Sequence, residues 1–220
     1  MSHPEQQAVY GWNPRPEVRE FIPLEARLVL EVGCGQGAFG QTLRERLGPE
    51  AYLVGIDPVA DLLQIARRAG YFDELVHGYF PDDLVGTVAR GFDLIIFNDV
   101  LEHMVDPWAT LRTCHDHLDR RGTIVATIPN LRYLPVMINL ARGGFDYVES
   151  GVMDRTHLRF FTRNGMVRLF ESSGYRVTGQ RGVNNVVREY PHMWPGHARK
   201  LRHLFRDMQW MQYVTTAVPL

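Results

Sequence analysis

Four stretches of the chain are apolar without the alternation of polar and apolar residues that marks a sheet with one face in water. They are residues 27–32, 52–56, 92–97 and 123–128. Continuous apolar runs of this length are typical of parallel strands that helices cover on both faces. We therefore predict strands of a buried parallel sheet in these stretches.

Segments with apolar residues at helical spacing lie between these strands. Asp106 and Pro107 favour a helix start, as N-cap and first helical residue. Thr162 favours another start, and that helix is expected to end near Gly174. The predicted apolar faces are Trp108, Leu111, Cys114 and Leu118 in the first helix and Met166, Leu169 and Phe170 in the second. The alternation of strands and helices predicts an α/β fold with a doubly wound parallel sheet.

The C-terminal part of the chain departs from this alternation. Residues 175–183 and 212–218 both have strand character, and no crossover helix of ordinary length lies between them. We therefore expect a terminal antiparallel pairing. Residues 184–209 between them are interpreted as an insertion with a basic amphipathic helix at 197–209. Such helices commonly pack on the core, and some lie on a membrane or meet a diphosphate-linked substrate.

The predicted organisation is an N-terminal arm, residues 1–24, followed by one domain, residues 25–220, with a further insertion at about 131–160. That insertion either shapes a substrate pocket or only covers the sheet. In the arm, Trp12 and Arg15 either close over a ligand or only pack on the domain.

Composition narrows the class of protein. The chain has 220 residues, 45% of them hydrophobic, which is enough for a full core in one elaborated domain. Its net charge of −1 gives no general field that would attract nucleic acid. Cys34 and Cys114 form no disulfide or metal pattern, and no apolar run is long enough to span a bilayer. We expect a cytoplasmic protein without a nucleic-acid partner, and the oligomeric state stays open.

A glycine-rich turn follows the first predicted strand. In the run VLEVGCGQG, Glu31 precedes Gly33, Gly35 and Gly37, and a helical pattern begins directly afterwards. Glycines allow close approach of the backbone to a ligand, and the helix N-terminus offers free N–H groups. Asp57 ends the next strand, where a carboxylate can accept hydrogen bonds from ribose hydroxyls. This pattern predicts a nucleotide-like cofactor, and the glycine spacing alone also fits a dinucleotide.

Three further features favour a cofactor with an amino group over a dinucleotide. Glu31 stands where a dinucleotide-binding strand is usually apolar, the fourth strand runs into residues 98–107, and the fifth ends in the polar stretch 127–130. On these residues the sequence resembles the class I S-adenosylmethionine-dependent methyltransferases, over residues 26–218. The motif Glu31-x-Gly33-x-Gly35-x-Gly37 matches the first motif of that family, Asp57 matches its ribose-binding acid, and residues 99–103 match its segment after strand four.

A second block narrows the resemblance. Residues 154–162, DRTHLRFFT, are similar to a block in a subgroup that includes ubiquinone-type O-methyltransferases and many methyltransferases of bacterial polysaccharide clusters. The resemblance implies a Rossmann-like sheet of seven strands with the last strand antiparallel. It also implies S-adenosyl-L-methionine as cofactor, S-adenosyl-L-homocysteine as product, and a sugar or glycan precursor, nucleotide- or lipid-linked, as the expected acceptor.

The residues expected to bind the cofactor follow from this match. They are Glu31, Gly33, Cys34, Gly35, Gly37, Asp57, Pro58, Tyr79, Asn98 and Asp99. Many relatives carry an acidic residue at the end of the third strand, where this chain has residues 77–80 instead. We expect adenine to stack on Tyr79 or Phe80, or to bond nearby backbone and Asp82.

Methyl transfer to an alcohol needs a base, because the hydroxyl proton does not leave unaided at neutral pH. His157 is the first candidate, with the alternative that Asp154 pins it as a structural residue. His103 is the second candidate, with backbone hydrogen bonding as its alternative role, and Asp99 is expected to line the site. The spacing of Asp154, His157 and Glu102 has no metal signature, so no metal is expected.

Two other functions stay open at this point. A nicotinamide-dependent oxidoreductase would use the glycines and Asp57 but not Glu31 or residues 99–103. A non-catalytic cofactor-binding module would keep the fold and lack the chemistry.

Overall fold

The computed structural model describes residues 11–84, 91–186 and 206–220. Seven strands form one sheet in the order β3-β2-β1-β4-β5-β7-β6. Their bounds are β1 Leu28–Val32, β2 Tyr52–Asp57, β3 Glu74–His77, β4 Phe92–Asn98, β5 Leu118–Pro129, β6 Tyr175–Asn185 and β7 Trp210–Pro219. The described ranges contain five α-helices, which are α1 Ala38–Leu47, α2 Ala60–Ala69, α3 Pro107–His117, α4 Leu134–Ala141 and α5 Arg163–Glu171.

The sheet is parallel from β3 to β5 and antiparallel at its other end. β1 lies between β2 and β4, with Glu31 beside Gly55 and Ile96. β7 pairs antiparallel with both β5 and β6. This topology confirms the predicted α/β sheet of seven strands and its antiparallel terminal strand. The strand order reverses between β1 and β4, which is where open α/β sheets bind ligands.

Two apolar layers cover the sheet, as the continuous apolar runs predicted. One layer includes Phe97, Leu111 and Phe170, and the other includes Phe39, Leu43 and Leu53. All five residues of β1 are buried, so its single charged residue, Glu31, enters the interior.

The predicted helix starts are confirmed. The carboxylate of Asp106 accepts a hydrogen bond from the amide of Ala109, 2.9 Å away, and the hydroxyl of Thr162 accepts one from the amide of Gly165. Leu118 was predicted on the apolar face of α3, and this was wrong, because the helix ends at His117. Leu118 instead begins β5, where it pairs with Phe92 and is buried.

The described part of the arm is anchored in the domain. Residues Pro16–Phe21 form a 3-10 helix, and Val18 and Ile22 are buried in the layer that contains Leu43. Residues 11–15 precede this anchor and lie across the carboxyl edge of the sheet, held by hydrogen bonds such as that from the Gln36 amide to the Gly11 carbonyl.

The insertion after β5 contains α4 and a segment that returns along the sheet edge. None of the α4 residues is buried. Residues 187–205 of the predicted insertion 184–209 lie outside the described residues, and they include the first nine residues of the basic helix predicted at 197–209. Among the residues that the structure describes, no helix combines the length and apolarity needed to cross a bilayer.

Candidate active site

A cavity of about 470 Å³ opens at the carboxyl ends of β1, β2 and β4. Small-molecule sites typically enclose a few hundred cubic ångströms. Its walls include the expected residues Glu31, Gly33, Cys34, Gly35, Asp57, Pro58, Tyr79, Asn98, Asp99, His103 and His157. The structure therefore brings the strand-end motifs and the 154–162 block to one place.

The glycine turn lies against the end of β2. The amide of Gly33 donates to the Ile56 carbonyl at 2.8 Å, and the amide of Gly35 donates to the Asp57 carboxylate at 2.8 Å. Gly33 has a φ of +72°, and a Cβ there would lie 2.7 Å from a methyl carbon of Val100. The turn therefore admits only glycine at this position without rearrangement.

Gly37 differs from Gly33 and Gly35, which line the cavity, because it is not among the described residues of the cavity wall. Its φ is +78°, and an added Cβ would lie 2.9 Å from the Cβ of Ala66 in α2. The close packing of α1 against α2 explains this glycine, so the structure does not support a direct ligand contact.

Glu31 carries a buried carboxylate with unmet hydrogen-bonding capacity. It is 2% exposed, and its Oε1 accepts a hydrogen bond of 3.3 Å from the Asn98 amide. Its Oε2 is buried without a hydrogen-bond partner. Burial raises the pKa of Glu31 to about 8. An unpartnered buried oxygen at a cavity wall fits a cationic donor from a ligand, such as an ammonium group.

Asp57 is buried at the end of β2 and closes the turn. Its two carboxylate oxygens accept hydrogen bonds from the amides of Gly35 and Val59, at 2.8 and 2.9 Å. Asp57 also lines the cavity, as its predicted role toward ribose hydroxyls requires. The neighbouring Cys34 is buried in the wall, and burial raises the pKa of its thiol.

The residues after β3 form the rim of the cavity. Tyr79 is 65% exposed, and its amide donates to the Asp83 carboxylate at 2.8 Å. Phe80 also lines the cavity and packs edge-on against Phe97. Asp82 is exposed and is not among the described residues of the wall. Of the side chains predicted for adenine, Tyr79 and Phe80 thus line the cavity, and Asp82 is not among its described wall residues.

The arm contributes a polar network to the same wall. Arg15 is ion-paired with Asp99, and its guanidinium also donates to the Gln212 side chain at 3.1 Å. Gln212 donates in turn to Asp99 at 2.8 Å, and the hydroxyl of Thr127 donates to the same carboxylate at 3.0 Å. The Asp99 carboxylate therefore accepts hydrogen bonds from three donors, and a carboxylate bonded in this way is poorly suited to take up the proton of an acceptor hydroxyl.

Backbone strain coincides with this network. Arg15, Asp99 and Asn184 have φ values of 51°, 54° and 57° and are the non-glycine residues with positive φ in the described ranges. All three line the cavity, and the amide of Asn184 donates to Gln212 at 2.9 Å. Non-glycine residues in the left-handed region tend to occur at functional sites that hold them in place.

His157 lies in the wall, 6% exposed. Its Nδ1 is 3.0 Å from the Val152 carbonyl, which can only accept, so Nδ1 carries a proton and, in the neutral ring, Nε2 has the lone pair. Nε2 lies 3.9 Å from the carboxylate of Glu102, a buried residue that sequence reasoning did not propose as catalytic.

His103 packs against His157, with 4.7 Å between the ring centres. Its Nδ1 lies 3.1 Å from the hydroxyl of Thr156, which itself donates to Asp154 at 2.8 Å. The backbone contact expected for His103 is also present, at 3.3 Å from the Thr156 carbonyl. Burial, with the adjacent His157, lowers the pKa of His103.

Of the described residues, only Glu102, His103 and His157 form a group whose ligand atoms lie within 4.8 Å of one another. The alternative set considered from sequence, with Asp154, is not such a group. The 3.9 Å between Glu102 and Nε2 of His157 is longer than the spacing of neighbouring ligands around a tetrahedral zinc ion.

Sequence reasoning missed several wall residues from distant parts of the chain. They are Asn13, Gly151, Val152, Asn184, Met211 and Gln212. Gln212 lay in a predicted strand, but nothing in its local sequence indicated that β7 inserts beside β5 and carries it to the cavity.

Comparison with known proteins agrees with this geometry. The model of a methyltransferase domain family matches residues 14–180. A ubiquinone biosynthesis O-methyltransferase of Dinoroseobacter shibae is 29% identical over 165 residues, which are 73% of this chain and 64% of that protein. The mitochondrial ubiquinone biosynthesis O-methyltransferase of Homo sapiens is 28% identical over 163 residues, 70% of this chain and 43% of that protein.

A solved structure of similar fold is that of the plantazolicin methyltransferase BamL in complex with a triazolic desmethylPZN analog and SAH. It superposes with a TM-score of 0.67 at 16% identity and covers 99% of this chain and 89% of that one. At this level of identity the likeness concerns the fold.

The sheet order, the glycine turn and the buried acids at the strand ends define the class I S-adenosylmethionine-dependent methyltransferase fold. The chain belongs to the methyltransferase domain family, whose model covers more than half of it, and S-adenosylmethionine is its cofactor. It spans 64% and 43% of the length of the two curated relatives named above.

Proposed function

We propose that this protein transfers the methyl group of S-adenosylmethionine to a hydroxyl of a small-molecule acceptor. The observation that carries the proposal is the buried Glu31 carboxylate, whose Oε2 has no hydrogen-bond partner at the wall of the cavity. The amino-acid end of S-adenosylmethionine has an ammonium group that would pair with this carboxylate and donate a hydrogen bond to Oε2. A nicotinamide dinucleotide has no aliphatic ammonium, so the same residue argues against the oxidoreductase alternative.

The remaining contacts of the cofactor follow from the same edge of the sheet. Asp57 would accept hydrogen bonds from the ribose hydroxyls, and the turn Gly33–Gly35 would let the backbone approach the ligand. Tyr79 and Phe80 at the rim offer aromatic faces to adenine. Cys34, Pro58, Asn98 and Asp99 complete the proposed cofactor wall.

Bound S-adenosylmethionine supplies an activated methyl group on a sulfonium, which is transferred by in-line displacement. The chain's task is then to orient the acceptor, exclude water and take up its proton. His157 is the proposed base, because Val152 fixes the tautomer in which Nε2 keeps a lone pair. Asp99 and His103 are assigned to the wall rather than to proton transfer.

The acceptor side of the cavity is partly apolar. Met104, Val152 and Met211 line it, and the aromatic ring of Phe160 lies 6.3 Å from that of His157. The two relatives are named for ubiquinone biosynthesis, and together with the apolar wall this favours a ring hydroxyl. The sugar or glycan acceptor expected from residues 154–162 is the second candidate, and neither of these two relatives supports it.

The proposed function is tested by binding and by turnover. Calorimetry should show 1:1 binding of S-adenosylhomocysteine, and labelled S-adenosylmethionine should pass its methyl group to a member of a panel of phenols, catechols, nucleotide sugars and polyprenyl-linked glycans. Binding without turnover on the whole panel would favour the non-catalytic module, and NADH binding in place of S-adenosylhomocysteine would favour the oxidoreductase.

A further inference from the structure

Asp83 braces the turn that forms the rim of the cavity after β3. Its carboxylate accepts a hydrogen bond of 2.8 Å from the amide of Tyr79, and its own amide donates to the Tyr79 carbonyl at 3.0 Å. Both polar groups of the Tyr79 backbone are therefore bonded to one residue. Asp83 is exposed and is not among the described residues of the wall, so its contacts serve the turn and not the interior of the cavity.

The turn begins beside the residue proposed for the ribose. The amide of Gly78 donates to the Asp57 carbonyl at 3.1 Å. Gly78 has a φ of +152°, and a Cβ at this position would collide with the carboxylate of Asp83. The Asp83 carboxylate therefore packs directly on the backbone of the turn, where only glycine leaves room for it. The brace and the ribose acid are parts of one continuous stretch of structure.

The core fixes the inner side of the same turn. Leu84 is buried in the apolar layer that contains Phe97, and its amide donates to the Pro81 carbonyl at 3.0 Å. The ring of Phe80 packs edge-on against Phe97 and against His117, with 6.3 and 5.3 Å between the ring centres. The backbone of the turn is thus held from the core as well as by the brace.

The Tyr79 side chain is the outward part of this turn. Tyr79 is 65% exposed although it lines the cavity. A large aromatic side chain that stands mostly in water at the rim of a binding cavity has apolar surface to bury against a ligand. Packing within the protein therefore does not account for an aromatic residue at this position.

We infer that Asp83 is a positioning residue that holds Tyr79 where its ring covers the adenine of bound S-adenosylmethionine. The inference rests on the proposed function and deepens it, because it names the residue that sets one of the two rings offered to adenine. Asp83 acts through Tyr79 and touches neither the base nor the reacting atoms. Stacking of a base on an aromatic ring contributes to affinity whatever hydrogen bonds the base makes.

The test uses the full chain with Asp83→Ala, which removes the brace, and with Asp83→Asn, which keeps an oxygen that can accept from the Tyr79 amide. Tyr79→Ala and the double variant complete the set, and Asp116→Ala removes an exposed acid of α3 as the control. Calorimetry compares S-adenosylhomocysteine with S-ribosylhomocysteine, which is the same ligand without the base. Turnover with the best acceptor from the panel gives kcat and the KM for S-adenosylmethionine.

We expect Asp83→Ala to bind S-adenosylhomocysteine about tenfold more weakly and to bind S-ribosylhomocysteine as the unmodified protein does. The KM for S-adenosylmethionine should rise by a similar factor, with kcat nearly unchanged. Asp83→Asn should recover most of the affinity. The double variant should bind no more weakly than Tyr79→Ala, because both changes remove the same contact, and Asp116→Ala should match the unmodified protein.

Three results would overturn the role of Asp83. They are undiminished S-adenosylhomocysteine affinity in Asp83→Ala, an equal loss for the ligands with and without the base, and additive losses in the double variant. If Asp83→Ala fails to fold, Asp83→Glu displaces the carboxylate by one methylene, and the same comparison of the two ligands decides. If the unmodified protein binds no S-adenosylhomocysteine, the proposed function itself fails, so the two failures are distinct.

Discussion

The guanidinium of Arg15 is ion-paired with the carboxylate of Asp99, although 84 residues separate them along the chain. The pair joins the arm to the end of β4 across the cavity, and Gln212 of β7 bonds both partners. The buried anchors Val18 and Ile22 fix the arm on one side of this contact. The sequence had left open whether Arg15 reaches the ligand site, and the structure places it in the wall.

Arg15→Gln should therefore loosen the arm. We expect a loss of about 1–3 kcal/mol in the free energy of unfolding, because Asp99 and Gln212 lose a buried partner. Affinity for S-adenosylhomocysteine should fall about tenfold, mainly through faster dissociation. Urea unfolding and stopped-flow release measure the two effects. The control is Arg181→Gln, which removes an exposed ion pair with Glu20 and should change neither the stability nor the dissociation rate. Equal behaviour of the two variants would contradict a role of the arm in retaining S-adenosylhomocysteine.

Glu31→Gln should weaken binding of S-adenosylhomocysteine at least tenfold, or about 1.4 kcal/mol, because the ligand ammonium loses its ionic partner. The apo protein should be as stable as the original or more so at pH 8. The pKa of Glu31 is about 8 in the fold, against a reference value of 4.5. Protonation of Glu31 therefore favours the folded state at low pH, and this contribution to the free energy of unfolding is lost as the pH rises towards 8. Chemical unfolding at pH 5 and pH 8 should show the stability of Glu31→Gln relative to the original increasing with pH. A variant that binds normally would contradict the ammonium site.

Ligand binding should release a proton near neutral pH. Below about pH 8 Glu31 is protonated in the apo cavity, and pairing with an ammonium requires the carboxylate. The affinity for S-adenosylhomocysteine should therefore fall as pH drops below 8. Calorimetry in buffers of different ionisation enthalpy measures the proton release directly. In Glu31→Gln the release should disappear, and an undiminished release would assign it to another group.

Gly37→Ala tests whether this glycine serves packing. Gly37 and Gly70 both have a left-handed backbone, with φ +78° and ψ 17° at the first and φ +72° and ψ 21° at the second. A Cβ meets Ala66 at Gly37 and nothing within 4 Å at Gly70, so Gly70→Ala isolates the backbone strain. Gly37→Ala should be less stable than Gly70→Ala by a further 1–3 kcal/mol or so, as measured by urea unfolding. Equal losses would contradict the packing explanation.

His157→Gln should lower kcat by roughly 100-fold or more while S-adenosylhomocysteine still binds. His115→Gln is the matched control, because that ring stacks on Tyr175 with 4.3 Å between ring centres and donates to the Ser173 carbonyl. The control His115→Gln should lower the stability of the fold and leave kcat nearly unchanged. Turnover with the best panel acceptor and thermal unfolding distinguish the two variants. An active His157→Gln variant would show that His157 is not the base.

The fold was largely predictable because its signals are local. Continuous apolar runs gave the strands, and Asp106 and Thr162 marked helix starts that the structure confirms. Leu118 was misassigned because a buried leucine suits the last turn of a helix and the first residue of a strand equally well. Pairing with Phe92 decides between them, and that contact is not visible in local sequence.

The candidate site was predictable where a motif lies at a strand end. Glu31, Asp57 and Asn98 reach one cavity because parallel strands end at a common edge. The contacts of Arg15, Glu102 and Gln212 depend on tertiary structure, so no local pattern in the sequence predicts them. Whether the sequence-named residues bind the cofactor remains a prediction.

A calorimetric titration of the unmodified protein and of Glu31→Gln with S-adenosylhomocysteine, with NADH as the competing ligand, tests the ammonium site at Glu31 directly. We expect one site per chain for S-adenosylhomocysteine, at least tenfold weaker binding in Glu31→Gln, and no heat from NADH. Absence of S-adenosylhomocysteine binding by the folded protein, or displacement of that ligand by NADH, would contradict this site.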